Sequence, residues 1–184
     1  MATEKSFPGF SAPAAGTAAP LEMLTACHDR AARQLGTLRR LVAHLAGSGA
    51  DAQAQSAAVS VMRYFDLAAR DHHADEEEDL FPALLESMAG SDAVCLIDIT
   101  RALAADHRAL ESAWARVRAV LVKVAAGEAA LLGVAEVEAL AGGYERHIAR
   151  EEQELLPMAE RLLGPQQLDD IGAAMRARRG IARP

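Results

Sequence analysis

The feature that most constrains what this chain can fold into is a pattern that occurs twice. The first copy is His72-His73-Ala74-Asp75-Glu76-Glu77-Glu78-Asp79-Leu80-Phe81-Pro82, and the second is His147-Ile148-Ala149-Arg150-Glu151-Glu152-Gln153-Glu154-Leu155-Leu156-Pro157. Aligned on their prolines, both read H-x-x-x-E-E-x-x-L-φ-P. Residues four apart on a helix stack on one face about 6 Å apart. His72 with Glu76, and His147 with Glu151, therefore each aim an imidazole and a carboxylate at one point, as a pair of metal ligands does.

The rest of the sequence supplies helices to carry these pairs. Apolar residues make up 51% of the 184, much of it Ala and Leu, with aromatics at only 4%. No segment shows the alternation of a half-buried strand, so the fold class is all-α. A net charge of −7 and a pI near 5.4 argue against nucleic acid or an anionic membrane as a bulk electrostatic partner. Neither a long apolar run nor a signal-like start is present. Cys27 and Cys95 form no disulfide framework. The expectation is a soluble, cytoplasmic protein with reduced thiols.

Read in order, residues 1 to about 19 are rich in Ala, Pro, Gly and Ser, with Pro8, Pro13 and the bordering Pro20 spaced so that no helix runs through them, and read as a tail. The spacing predicts a first helix over 21–46 and a second that begins after Asp51, its N-cap. The second carries Val59, Met62, Phe65, Ala69, His72, Glu76 and Leu80 inward. Pro82 kinks it or starts a short continuation to Met88.

Gly90, Ser91 and Asp92 make a turn into a third helix over 93–126, with Leu103, His107, Leu110, Trp114, Val117 and Leu121 in register. A fourth helix starts at Ala130 or Val134, ends at Leu163, and passes through Gly142-Gly143. Pro165 opens a short C-terminal helix over 166–178, whose Arg176, Arg178 and Arg179 suit a helix C-terminus. The domain plan is a tail over 1–19, a bundle over 20–164, and a C-terminal helix and tail over 165–184.

Long helices with short connections make an up-and-down antiparallel four-helix bundle. Counting at about 1.5 Å per residue from the helix ends puts His28, His72, His107 and His147 at one level, within about 3 Å. A lone histidine on such a face is ordinarily a core residue. Four of them with two buried glutamates are not, because unpaired buried carboxylates are too costly without cations. Glu77 and Glu152 fall at the rim of this layer. His73 also stands four before a glutamate, but the proline alignment selects His72 and leaves His73 outside the ligand set. His44 lies too far along its helix to join. Trp114 and Phe65 read as bundle packing that could wall a pocket.

Mixed imidazole and carboxylate donors suit iron, manganese or zinc, and two shared glutamates suit two ions. Two octahedral ions with four imidazoles, two bridging carboxylates and an oxo or hydroxo bridge leave room for Glu111, four after His107. One position then stays open for a small molecule. The alternative for Glu111 is an exposed carboxylate.

At this point the chain resembles the hemerythrin-like, or HHE cation-binding, domains, through His28, His72-x-x-x-Glu76, His107 and His147-x-x-x-Glu151 over about 21–163. The resemblance implies a non-haem di-iron centre, with His28 and His72 on one iron, His107 and His147 on the other, and Glu76 and Glu151 as bridges. Respiratory members have a fifth histidine where this chain has Glu111, which makes reversible oxygen carriage less secure. The implied function is binding or sensing of dioxygen, nitric oxide, peroxide, or iron and redox state. A di-iron oxidase or ferroxidase is the alternative, and a purely structural bundle leaves the buried acids unexplained. Ferritin-like enzymes use Glu-x-x-His, the reverse of the order here, which favours a binding protein.

Overall fold

The computed structural model describes residues 19–88 and 93–181, and all regular structure among them is helical. The expected tail and the Gly90-Ser91-Asp92 turn fall outside the described residues. Helix α1 spans Pro20–Ser48. Its proline sits at the first position, where a missing N–H costs nothing. It stops at Gly49, whose φ of 68° is accessible to glycine and whose N–H bonds to the Leu45 carbonyl.

Helix α2 covers 52–86. Asp51 caps it as expected, accepting from the Ala54 N–H at 2.9 Å. α3 is Ala93–Ala125 and ends before Gly127, whose φ is 75°. After a non-helical stretch over 128–133, α4 covers 134–162, and α5 is Pro165–Arg178.

Two of these helices are not uniform. α2 has π-helical segments at Tyr64–Ala68 and Asp75–Leu80, and α4 has one at Glu151–Leu155. The latter two immediately precede Pro82 and Pro157. A proline in a regular helix clashes with the carbonyl four residues back, and a widened turn relieves that clash. The N–H of Phe81 accordingly bonds five residues back to the Glu76 carbonyl, and that of Leu156 to the Glu151 carbonyl. The helices thus pass their prolines without ending.

One expectation is corrected on α2. Counting back from His72 at about 3.6 residues per turn reaches Val61 and Ala58, and these are buried while Val59 is 52% exposed. Met62 is only partly buried.

Helices α1, α2, α3 and α4 each pack on their two neighbours, closing a ring, and α5 lies against α1 and α2. Gly143 lets α4 approach α3 closely, since a Cβ there would sit 2.9 Å from the Leu110 side chain. The apolar core is in two parts. One gathers Leu35, Leu38, Val61, Phe65, Trp114, Leu121, Leu140 and Tyr144. The other gathers Leu24, Leu80, Leu84, Leu103, Leu155, Ile171 and Met175. On every helix of the ring the histidines and glutamates fall between these two clusters. Among the described residues no helix is long and apolar enough to cross a membrane.

Candidate metal centre

Six of the residues singled out in the sequence come together in this buried layer: His28 from α1, His72 and Glu76 from α2, His107 from α3, and His147 and Glu151 from α4. Donor atoms of His28, His72, Glu76 and Glu151 lie within 4.8 Å of one another, as do those of Glu76, His107, His147 and Glu151. The two sets share their carboxylates.

Each carboxylate faces both sets. Glu151 places Oε2 3.0 Å from His28 Nε2, and Oε1 2.8 Å from His147 Nε2. Glu76 places Oε1 3.6 Å from His72 Nε2, and Oε2 3.2 Å from His107 Nε2. All four oxygens are nevertheless buried without a hydrogen-bond partner, as is Nε2 of His28. Across the second set, Nε2 of His107 lies 3.1 Å from Nε2 of His147. Apart from the bond between His107 and His147, these atoms converge on common points without hydrogen-bond geometry to one another. Orphaned polar atoms at this burial are costly, and a bound cation is what would satisfy them.

The structure differs from the sequence reading at two residues. His73 is buried, and both of its ring nitrogens lack a partner. It forms a third donor group with His107 and His147, stacked on the His107 ring at 4.0 Å between centroids. His72 instead meets His28 at 5.0 Å. The choice between His72 and His73 was a false one. Consecutive helical residues point about 100° apart, so in a closed ring one reaches the α1 side and the other the α3 and α4 side.

Glu111 is exposed and stands outside the cluster. The buried stripe of α3 runs through His107, Leu110 and Trp114, which turns Glu111 to the solvent edge. His44 stays apart, paired with Asp51 at 2.9 Å.

A ring of outer carboxylates holds the imidazoles. Nδ1 of His107 donates to Glu77 Oε1 at 2.7 Å, and Nδ1 of His28 donates to Glu152 Oε1 at 3.0 Å. Each bond fixes the tautomer that leaves Nε2 free for a cation and raises the ring's basicity. Glu77 is itself gripped by Arg108 through two bonds. The expected outcome for Glu77→Gln is metal affinity lower by about 10–100-fold with unchanged helicity, checked by competition with a chelator and by circular dichroism.

Charge in the metal-free layer follows from burial and proximity. Burial pushes His72 down to about 3 and His73 well below its ordinary value, so both stay neutral and offer lone pairs. Burial also pushes Glu76 up to about 8, helped by repulsion from Glu151. Burial works against ionised Glu151 too, but contacts with His107, His147 and His28 outweigh it and hold that carboxyl well below its usual range. For His107 burial opposes the charge, and Glu151, Glu76 and Glu77 overcome it, raising the ring to about 10. His28 is raised in the same way by Glu151 and Glu152.

Metal loading must displace the protons on His107 and Glu76. Affinity is therefore expected to rise with pH toward about 8 for Glu76 and onward toward about 10 for His107. Calorimetric titration in two buffers of different ionisation enthalpy measures the protons released. Affinity that is flat between pH 6 and 8 contradicts this assignment.

Four imidazoles, a fifth at His73 and two carboxylates that face both sets define a helical protein with a layer across its interior able to hold metal. The model of the hemerythrin HHE cation-binding domain matches residues 19–159, and the chain belongs to that family. An uncharacterised protein of Haemophilus influenzae is 31% identical over 162 residues, covering 88% of this chain and 91% of its own length.

The sequence reading missed two things. The doubled histidine was the signal for His73, since His73 and Glu77 also stand four apart. The second is the role of α5, whose Arg178 and Arg179 reach the buried Asp75 beside Glu76. Nothing in the sequence paired those residues.

Proposed function

We propose that this chain is a non-haem di-iron protein that binds or senses a small ligand, dioxygen, nitric oxide or peroxide, within an up-and-down four-helix bundle. His28 and His72 hold one ion, and His73, His107 and His147 hold the other. Glu76 and Glu151 are shared between them. The observation that carries this reading is the orientation of the two carboxylates, each presenting one oxygen to each histidine set. Manganese or zinc fits the same donors.

His73 supplies from α2 the fifth imidazole that Glu111 does not supply from α3. A set of five imidazoles suits ligand binding better than a set with a third carboxylate, whose charge favours the oxidised metals. When bound, the metal pair contributes a redox couple and a coordination position for the small ligand. The protein's part is to fix the imidazoles through Glu77 and Glu152 and to exclude water with the buried Leu80, Phe81 and Leu155.

Anaerobic loading with ferrous iron, metal analysis, and absorption spectra before and after oxygen or nitric oxide test the reading. Two irons per chain and a reversible spectral change are expected, with Glu111→Gln matching the wild type. Fewer than two irons sinks the dinuclear assignment. Sustained consumption of ferrous iron or peroxide makes the protein an oxidase instead.

A further inference from the structure

The chain has one tryptophan and two tyrosines, and all three lie in a single packed array that ends on the metal layer. Phe65 is its hub, with ring centroids 5.0 Å from Tyr64, 4.8 Å from Trp114 and 5.3 Å from Tyr144. Tyr144 then stacks toward His73 at 6.2 Å, with an interplanar angle of 24°. A continuous path of rings therefore runs from His73 through Tyr144 and Phe65 to Trp114.

Packing by itself asks only for apolar volume, which leucine or phenylalanine would fill. The indole here has two further properties. Trp114 is buried at 8% exposure but lies against Asp66 and Arg118, whose side chains are 30% and 47% exposed, so the path ends just beneath the protein surface. Its Nε1–H also donates to Asp66 Oδ1 at 2.9 Å, and Arg118 Nε donates to both oxygens of that carboxylate, at 2.9 Å each. Indole is among the most readily oxidised side chains, and an oxidised indole is a strong N–H acid. A fixed carboxylate on that N–H stabilises the oxidised ring and gives its proton a destination.

We infer that Trp114 is a one-electron port, through which the metal layer exchanges electrons with a small one-electron donor at the surface. In this step Trp114 loses one electron, which passes through the Phe65 and Tyr144 rings to His73 and reduces by one equivalent a centre that peroxide has oxidised beyond its diferric state. The Nε1 proton moves to the Asp66 carboxylate. The external donor then returns one electron to Trp114, and Asp66 returns the proton. The direction of this exchange toward the centre rests on the dinuclear reading above.

The test uses the full chain loaded with ferrous iron and given two equivalents of hydrogen peroxide per metal pair, the first to bring the pair to the diferric state and the second to oxidise it further, then freeze-quenched for electron paramagnetic resonance. Because the chain has one tryptophan, ring-deuterated tryptophan assigns any indole radical to Trp114. The expected result is an indole signal in the wild type that falls severalfold in Phe65→Leu and disappears in Trp114→Phe. Re-reduction by ferrocyanide should slow severalfold in both variants, with iron content and helicity unchanged.

Two bound irons with no indole signal, or re-reduction at the wild-type rate in Trp114→Phe, overturns the port. Fewer than two irons defeats the dinuclear reading instead, and a metal-free experiment then decides. Flash-generated tris(bipyridine)ruthenium(III) should form the neutral indole radical in the wild type, in lower yield in Asp66→Asn. No radical, or an equal yield, overturns the inference without reference to metal.

Discussion

On the dinuclear reading, Glu151→Ala is expected to take the metal content to near zero, whereas His73→Ala is expected to leave one ion of the two. The difference follows from geometry. Glu151 touches His28 through one oxygen and His147 through the other, so on that reading its loss would remove a ligand from both positions at once. His73 groups only with His107 and His147 and should serve one position.

Loading with metal at a thousandfold excess over the dissociation constant stabilises a fold by about 4 kcal/mol. That gain should vanish in Glu151→Ala and shrink in His73→Ala. Metal analysis after desalting and paired melts with and without metal measure both quantities. Because the gain is a difference within each variant, changes in the metal-free baseline cancel. Two ions retained in Glu151→Ala excludes a shared carboxylate. Two retained in His73→Ala returns that residue to the core.

Much of this layer was legible because the information is periodic. The doubled motif fixes which residues stand four apart, and a count at constant rise puts four helices in register, so His28, His72, His107 and His147 follow without coordinates. The Asp51 cap and the buried stripe of α3 were equally local. What stayed hidden depends on departures from constant geometry or on the closed ring. The π-helical segments that carry α2 and α4 past Pro82 and Pro157 leave no mark in the motif's spacing. Aligning the prolines compared two helices as lines and chose one histidine, while a ring of helices accepts two neighbouring residues from one helix. Glu111 obeyed the spacing rule but faced solvent, because its helix buries Leu110 and Trp114 instead.

The contact between α5 and α2 was hidden for another reason, since ion pairs a hundred residues apart leave no periodic trace, and it carries the largest expected effect on stability. The Asp75 side chain is 0% exposed and is met by Arg178 and Arg179. Arg179 Nη2 lies 2.5 Å from Oδ2, and Arg178 Nη2 continues to Glu78 at 2.8 Å and Asp79 at 2.9 Å. Removing both guanidinium groups leaves a carboxylate buried without cations. Loss of one side of such a pair costs about 3–5 kcal/mol, so Arg178→Ala/Arg179→Ala should be destabilised by about that much in urea near neutral pH. Adding Asp75→Ala to the double variant should recover most of the loss, because the orphaned charge is gone.

The pH dependence separates this cause from lost packing. Burial pushes the Asp75 carboxyl up, and Arg179 and Arg178 oppose that shift. Without them it rises further. A folded-state pKa above the unfolded value means the native state binds the proton more tightly, so stability falls as pH climbs through the window between the two. The deficit of the double variant should therefore be smallest near pH 4 and grow toward pH 7. A deficit that is the same at both pH values, with lost helicity, would mean instead that α5 has come away, exposing Asp75 to water and releasing Ile171 and Met175 from the core.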